Sequence, residues 1–274
     1  MTTKRGGSIM KIGLGQLDII WENKEKNKLS CSNMIAQAKQ EGVDFIVFPE
    51  MTLTGFSMNP ADLGETMEDS PSIAFFQEEA KKHQIYIAFG IIIKNEDKAE
   101  NHCIILNDTG EIIANYAKIH PFSYGAESKY YTGGTTLTSC AVKELIVSPL
   151  ICYDLRFPEI FQACSENSSL ITVIANWPAP RRAHWISLLK ARAIENQCYI
   201  AGVNRCGEGE GLTYVGDSMV ISPYGDIIST VQDTPGLIVA ELDLELVEKY
   251  RSEFPLKADR KPCLYTKFYC PQHK

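Results

Sequence analysis

The chain has 274 residues, of which 45% are hydrophobic and 22% charged, a composition that excludes disordered, collagen-like and coiled-coil proteins. Its 27 basic and 34 acidic residues give a net charge of −7 without blocks of like sign, which argues against nucleic acid or an anionic membrane as the main partner. The longest apolar stretches, such as residues 85–93, reach about half of the ~20 residues that a membrane-spanning helix needs, so we expect a soluble protein.

The cysteines and the N-terminus indicate a reducing compartment. The nine cysteines are scattered and include no Cys-x-x-Cys pair, so neither a disulfide framework nor a zinc site is expected. Residues 1–9 lack the apolar segment of a signal peptide and are expected to form a disordered extension before a single domain of residues 10–274. We therefore expect a cytoplasmic protein.

Strand and helix patterns alternate in the first half of the chain. The predicted elements are a strand at residues 12–17, a helix that ends at Gly42, a strand at 43–48, a helix that begins at Ser70-Pro71, a strand at 85–93, and a hairpin of strands 102–106 and 112–116. Cys31, Met34, Ile35 and Ala38 form the apolar stripe of the first helix. The uninterrupted apolar run 43–48 is typical of a buried parallel strand.

The second half repeats this order. Its predicted elements are a strand at 145–151, a helix at 158–164, a strand at 170–175, a helix at 182–197, a strand at 199–203, and a hairpin of strands 218–221 and 227–231. The repeat predicts an α/β fold, a four-layer αββα sandwich of two stacked mixed sheets with internal pseudo-two-fold symmetry. Residues 252–274 lack clear periodicity, and we expect this tail to wrap over a neighbouring surface.

Polar residues follow several predicted strands where reacting groups gather in α/β folds. Glu50, Lys118 and Cys152 each come just after a strand, and Asn176-Trp177-Pro178 follows another. A lysine favours the reactive thiolate of a nearby cysteine, and a carboxylate can take and return protons. Each residue alone has a plain structural interpretation, because a cysteine at a strand end is commonly a small buried hydrophobe. Only their combination on one rim indicates covalent catalysis.

The sequence around these residues resembles the nitrilase superfamily of carbon–nitrogen hydrolases over residues 10–254. The resemblance lies in the glutamate, lysine and cysteine motifs, Val-Phe-Pro-Glu50-Met-x-Leu-x-Gly55, Tyr116-Ala-Lys118-Ile-His and Ile151-Cys152-Tyr-Asp-Leu-Arg156-Phe-Pro. The last motif and segments 175–181 and 191–197 are most similar to the omega-amidase branch. That branch hydrolyses the terminal amide of 2-oxo dicarboxylic acid monoamides such as 2-oxoglutaramate.

The resemblance implies a role for each residue. Cys152 would be the nucleophile and Glu50 the general base. Lys118 and the backbone N–H of Tyr153 would stabilise the oxyanion, and Glu127 would orient the lysine and the substrate amide. No metal or organic cofactor is implied, and members of the superfamily commonly form homodimers.

The substrate-binding residues are less well defined by the sequence. Tyr124, Asn176 and Trp177 are expected to line the pocket, and Arg181 can hold a substrate carboxylate in bidentate fashion. Arg156 is a second candidate, although we favour a structural ion pair for it.

Other mechanisms and functions stay open at this point. His120 and His184 are the residues through which a rival Cys–His mechanism would act. We expect an omega-amidase, and the alternative enzyme is a relative that acts on another small linear amide or an N-carbamoyl compound. A binding-only relative is disfavoured because Glu50, Lys118 and Cys152 are all present, and a redox sensor because there is no resolving cysteine.

Overall fold

Two stacked β-sheets form the centre of the protein in a computed structural model that describes residues 9–269. Within these residues the strands, numbered along the chain, are β1 (Ile9–Gln16), β2 (Phe45–Val47), β3 (Tyr86–Lys94), β4 (Ala99–Leu106), β5 (Ile112–Ala117), β6 (Tyr131–Thr132), β7 (Cys140–Val142), β8 (Leu145–Ile151), β9 (Leu170–Ala175), β10 (Tyr199–Asn204), β11 (Cys206–Gly209), β12 (Leu212–Ile221), β13 (Ile227–Gln232) and β14 (Gly236–Asp243). The α-helices are α1 (Lys24–Gln40), α2 (Pro60–Leu63), α3 (Pro71–His83), α4 (Glu127–Tyr130), α5 (Pro158–Cys164), α6 (Arg182–Asn196), α7 (Leu246–Glu253) and α8 (Pro262–Tyr269).

The two sheets repeat one pairing pattern. The first has the order β14-β1-β2-β3-β4-β5, with β6 beside β4, and the second has the order β7-β8-β9-β10-β12-β11, with β13 beside β12. Strands β1, β2 and β3 are parallel, and β4 and β5 follow antiparallel. Strands β8, β9 and β10 are parallel, and β12 and β13 follow antiparallel. This match confirms the predicted two-sheet αββα fold and its internal repeat.

Apolar side chains fill the layers on both sides of each sheet. The larger core lies between the sheets, where it includes Phe45 and Tyr116, and continues across the second sheet to its outer face, where Leu150 and Val173 pack on the side of α5 and α6. A second core packs α1 and α3 against the outer face of the first sheet. Strands buried on both faces carry mainly apolar residues, and β8 and β9 have the predicted bounds. Helix α5 also has its predicted bounds.

The ends of the chain differ from the sequence-based picture. β1 begins at Ile9 and not at residue 12, and the rest of the predicted extension, residues 1–8, lies outside the described residues. β14 and α7 were not predicted; β14 pairs antiparallel with β1 and completes the first sheet. In the tail, Lys257 donates a hydrogen bond to the backbone carbonyl of Ser165, and residues 262–269 form helix α8. No helix within residues 9–269 is long and apolar enough to cross a membrane.

Candidate active site

Glu50 lies in the turn that follows β2, with its side chain buried between the two sheets. Gly90 on β3 makes this position possible, because a Cβ there would come within 2.7 Å of the Glu50 Cα. Asn176, just after β9, donates its backbone N–H to Glu50 Oε2 (2.9 Å) and its side-chain amide to the Glu50 backbone carbonyl (2.6 Å). The base predicted from one half of the chain is therefore anchored by a residue of the other half.

Lys118 is held between two carboxylates. Its Nζ lies 2.9 Å from Glu50 Oε1 and 2.9 Å from Glu127 Oε2, and its side chain is 1% exposed. Burial disfavours the charged form, but the charges of Glu127 and Glu50 outweigh it and raise the pKa of Lys118 well above its ordinary value. The amine is therefore a cation at neutral pH.

Cys152 occupies a strained turn at the end of β8. Its φ is +47°, a value that non-glycine residues adopt at a cost and that recurs in functional sites. Burial, the charge of Glu50 and a hydrogen bond to Glu50 raise the pKa of the Cys152 thiol well above its ordinary value, although Lys118 acts in the opposite direction. Lys118 favours the thiolate, as expected, but burial and the carboxylates outweigh its effect on the pKa of Cys152.

A buried carboxylate, Asp154, organises the turn after Cys152. It accepts hydrogen bonds from Tyr116 Oη (2.7 Å), the Ile151 backbone N–H (3.1 Å) and His120, which contributes both its backbone N–H (3.1 Å) and ring Nδ1 (2.8 Å). The His120 ring also stacks on Phe157, with centroids 3.8 Å apart. The ring Nδ1 of His120 is therefore already used in a hydrogen bond to Asp154.

A cavity of about 130 Å³ opens beside Cys152. Its wall includes the predicted residues Asn176, Trp177 and Arg181, together with Tyr153 and Arg156. Tyr124 does not belong to it: the side chain is 88% exposed, and only its neighbours Phe122 and Gly125 reach the wall. The prediction for Tyr124 fails because the 3₁₀ turn over residues 123–125 directs this ring outward.

The two cavity arginines have no carboxylate partner among residues 9–269. The Arg156 guanidinium lies over the Trp177 ring at 4.7 Å, and that of Arg181 lies over the Phe122 ring at 5.5 Å. The structural ion pair favoured for Arg156 is therefore wrong. By contrast, the neighbouring Arg182 is bound to Asp217 through two hydrogen bonds (2.6 and 2.9 Å).

Sequence reasoning missed three residues near the site. Asn101 on β4 bonds both Glu50 and Glu127, Asp154 supports the nucleophile turn, and Glu210 reaches the cavity from the tip of the β11–β12 hairpin. Asp154 lies inside the quoted cysteine motif, so its position was a usable signal. Nothing in the sequence near Asn101 or Glu210 distinguishes them from ordinary strand and turn residues. Within residues 9–269, no group of His, Cys, Asp and Glu side chains is placed to hold a metal ion.

An αββα sandwich with a buried Glu–Lys–Cys cluster at the strand ends defines a class of thiol-bearing carbon–nitrogen hydrolases. The chain belongs to the carbon-nitrogen hydrolase family, whose profile its residues 11–252 match. An omega-amidase of Escherichia coli is 34% identical over 252 residues, which cover 91% of this chain and 96% of the relative. A 2-oxoglutaramate amidase of Bacillus subtilis is 31% identical, with 91% and 97% covered.

Solved structures show the same fold. A CN-hydrolase superfamily protein from Xanthomonas campestris, with an arsenic adduct in its active site, has a TM-score of 0.88 at 28% identity, covering 93% of this chain and 98% of its own. A member of branch 10 of the nitrilase superfamily from Saccharomyces cerevisiae has a TM-score of 0.84 at 27% identity, covering 92% and 97%. The protein is therefore a hydrolase of carbon–nitrogen bonds and an amidase of the nitrilase superfamily.

Proposed function

We propose that the protein is an omega-amidase that hydrolyses the terminal carboxamide of a 2-oxo dicarboxylic acid monoamide, such as 2-oxoglutaramate, to a carboxylate and ammonia. The observation that carries this proposal is the cavity itself. It has the strained Cys152 beside the Glu50–Lys118 pair at one end. Its wall also contains two arginines that have no carboxylate partner within residues 9–269. A small amide that bears a distant carboxylate matches both ends.

In the first half of the reaction, Glu50 takes the proton of the Cys152 thiol while the sulfur attacks the amide carbon. The C–S bond forms, and the carbonyl electron pair moves to oxygen. Lys118 and the backbone N–H of Tyr153 stabilise this oxyanion, since fixed donors at a developing charge act most strongly in a buried site. Glu50 then gives its proton to the amide nitrogen, the C–N bond breaks, and ammonia leaves a thioester on Cys152.

In the second half, water replaces ammonia. Glu50 takes a proton from this water as its oxygen attacks the thioester carbon, and the same donors hold the oxyanion. The C–S bond breaks, the proton returns to the sulfur, and the carboxylic acid leaves. A carboxylate can act in both halves because each ends with the proton released from it.

Arg156 and Arg181 are proposed to bind the carboxylate at the far end of the substrate. Guanidinium groups recognise carboxylates through two parallel hydrogen bonds. The guanidinium groups of Arg156 and Arg181 lie over the Trp177 and Phe122 rings. Arg156 also contacts the ring Nδ1 of His184 at 3.4 Å, a neutral partner that leaves its charge without a carboxylate within the described residues. The names of the Escherichia coli and Bacillus subtilis relatives support the same substrate class.

Ammonia release from a panel of amides tests the proposal. The panel contains 2-oxoglutaramate, 2-oxosuccinamate, glutamine, asparagine, a short aliphatic amide and an N-carbamoyl amino acid. We expect the two 2-oxo acid amides to be hydrolysed fastest and Cys152→Ala to be inactive. Cys198→Ala, a change at a buried cysteine between α6 and β10, should keep its activity. Preference for the N-carbamoyl compound or the aliphatic amide would overturn the substrate assignment, and an active Cys152→Ala would overturn the mechanism.

We further propose that the enzyme is a cytoplasmic homodimer. A contiguous group of partly exposed apolar side chains, Ile194, Tyr224, Tyr250 and Phe254, supports a self-association surface. The cysteines of the described residues are free, which fits a reducing compartment. Light scattering that gives the mass of one chain, or fractionation that finds the protein outside the cytoplasm, would contradict this.

A further inference from the structure

The side-chain amide of Asn101 connects the two carboxylates of the site. Its Nδ2 lies 2.8 Å from Glu50 Oε1 and 3.0 Å from Glu127 Oε1. The same two oxygens accept hydrogen bonds from Lys118 Nζ at 2.9 and 3.1 Å. In addition, the Asn101 backbone carbonyl accepts the Lys118 backbone N–H at 2.8 Å. Asn101 thus contacts both carboxylates through its side chain and Lys118 through its backbone.

The orientation of this amide is fixed by its neighbours. Exchanging its nitrogen and oxygen would place Oδ1 against two carboxylate oxygens, with no proton between them. In the orientation present, Oδ1 is buried and has no hydrogen-bond partner within the described residues. Because an unpaired buried acceptor destabilises a fold, this position costs stability that an apolar residue would not. The benefit therefore has to lie in the two N–H groups.

Two carboxylates beside one ammonium leave the buried cluster with an excess negative charge. Neighbouring carboxylates normally raise each other's proton affinity until one of them is protonated. A neutral double donor opposes this without adding the positive charge that a second lysine would bring. We propose that Asn101 is a positioning residue for hydrolysis: its amide holds Glu50 and Glu127 on either side of Lys118 and keeps both ionised, so that Glu50 can accept the thiol proton. This inference rests on the proposed amidase function.

The pH dependence of kcat/KM is the direct readout of this role. The groups that face Glu50 from the surrounding elements are Lys118 after β5, Glu127 on α4, Tyr131 on β6, Cys152 after β8 and Tyr214 on β12. Burial raises the pKa of Tyr214 to about 12, and the pKa values of Tyr131, Cys152 and Lys118 are also raised. None of these four groups therefore contributes to the acidic limb of the profile.

The test compares Asn101→Asp and Asn101→Ala with Asn196→Asp, a change at another fully buried asparagine, on α6 and away from the site. Asn101→Asp keeps the shape but places a third carboxylate beside the pair. We expect its acidic limb to move up by at least about one pH unit, a tenfold loss of kcat/KM below the limb, with little change in KM. Asn101→Ala should move the limb in the same direction by less, and Asn196→Asp should leave it in place.

Three kinds of result would count against the proposed role of Asn101. An active wild type with unmoved limbs in both Asn101 variants, or an equal shift in Asn196→Asp, would overturn the role of Asn101 alone. Failure of both Asn101 variants to fold, by circular dichroism, would also overturn it, because the residue would then serve folding and not positioning. A wild type that releases no ammonia from any amide would overturn the proposed function and this inference with it.

Discussion

At Cys152, burial and the charge of Glu50 raise the pKa of the thiol, and their effect outweighs that of Lys118, whose positive charge lowers it. At neutral pH the resting site therefore holds a neutral thiol beside a base. Thiolates, and not thiols, react with alkylating agents and oxidants. We therefore expect Cys152, the proposed nucleophile, to react slowly with such reagents when no substrate is bound.

Glu50→Gln separates two effects of the carboxylate, its action as a base and the influence of its charge on the pKa of Cys152. The variant keeps the side-chain shape but has no base, so we expect ammonia release to fall by ~10²–10⁴-fold. The same change removes a negative charge from the thiol's surroundings and lowers the pKa of Cys152. Alkylation of Cys152 by iodoacetamide at pH 7, followed by peptide mass spectrometry, should therefore become faster than in the wild type.

His120→Ala and His184→Ala are the controls for this prediction. His120 is bonded to Asp154 and stacked on Phe157, and His184 is exposed beside Arg156. Neither change should approach the effect of Glu50→Gln on ammonia release. A folded histidine variant as damaged as Glu50→Gln, or slower alkylation in Glu50→Gln, would contradict the Glu–Lys–Cys assignment.

The sequence predicted Glu50, Lys118 and Cys152 as a group because each follows a strand within a recognisable motif. It could not predict the protonation state of Cys152, since this depends on how many charges the fold packs around the thiol. Asn101 was missed for a related reason. One asparagine inside an apolar strand carries no signal until the strand pairing places it between two carboxylates from distant segments.

At the level of elements, the turn from β8 to α5 holds Cys152 in its unusual conformation. A non-glycine residue at positive φ costs about 1–3 kcal/mol, which the surrounding contacts must offset. Asp154 supplies these contacts through hydrogen bonds from Tyr116 at the end of β5 and from Ile151 in β8. The two elements that carry Lys118 and Cys152 are thereby tied to one buried carboxylate.

Asp154→Asn should weaken this connection. Each Asp154 oxygen accepts from two donors, so an amide NH₂ on either side faces donors and leaves them unpaired. We expect the free energy of unfolding to fall by roughly 2–4 kcal/mol, together with a loss of activity. Urea unfolding followed by circular dichroism measures the first effect.

Asp226→Asn is the matched control, because Asp226 is an exposed aspartate in the turn between β12 and β13. Its unfolding free energy should stay within about 0.5 kcal/mol of the wild type. Equal stability of Asp154→Asn and wild type would show that Asp154 does not support the turn.

Elements with a signal in their own sequence could be predicted, and elements that depend on contacts with distant segments could not. Strands β8 and β9 are short runs of mainly apolar residues. Helix α3 begins just after Ser70, which caps it by accepting the Ile73 backbone N–H. Such signals are local. β14 gains its hydrogen bonds from β1, more than two hundred residues earlier. No pattern within residues 236–243 specifies that partner.

At the scale of the whole molecule, the substrate cavity is assembled from segments that are far apart in the sequence. Phe56 and Phe122 come from the first half of the chain, Trp177 from the second, and Glu210 from the β11–β12 hairpin. Glu210 has no cationic partner within the described residues. Within residues 9–269, Glu210 is therefore the acidic side chain of the cavity wall that a substrate ammonium group would meet. Glu210 is exposed, however, so water already solvates its charge, and its attraction for a ligand ammonium is weak.

Selectivity for a 2-oxo acid amide over glutamine should therefore depend on the arginines. We expect kcat/KM for 2-oxoglutaramate to exceed that for glutamine by at least ~10²-fold, since burying an ammonium without a close counter-charge is unfavourable. Arg156→Ala and Arg181→Ala should each raise KM for 2-oxoglutaramate while kcat changes little, because the carboxylate they bind lies away from the reacting carbon. Arg182→Ala, which breaks the pair with Asp217, should lower the unfolding temperature and leave KM in place. Steady-state ammonia release and thermal unfolding measure these quantities. Equal turnover of glutamine, or a KM that rises only in Arg182→Ala, would show that the arginines do not select the substrate.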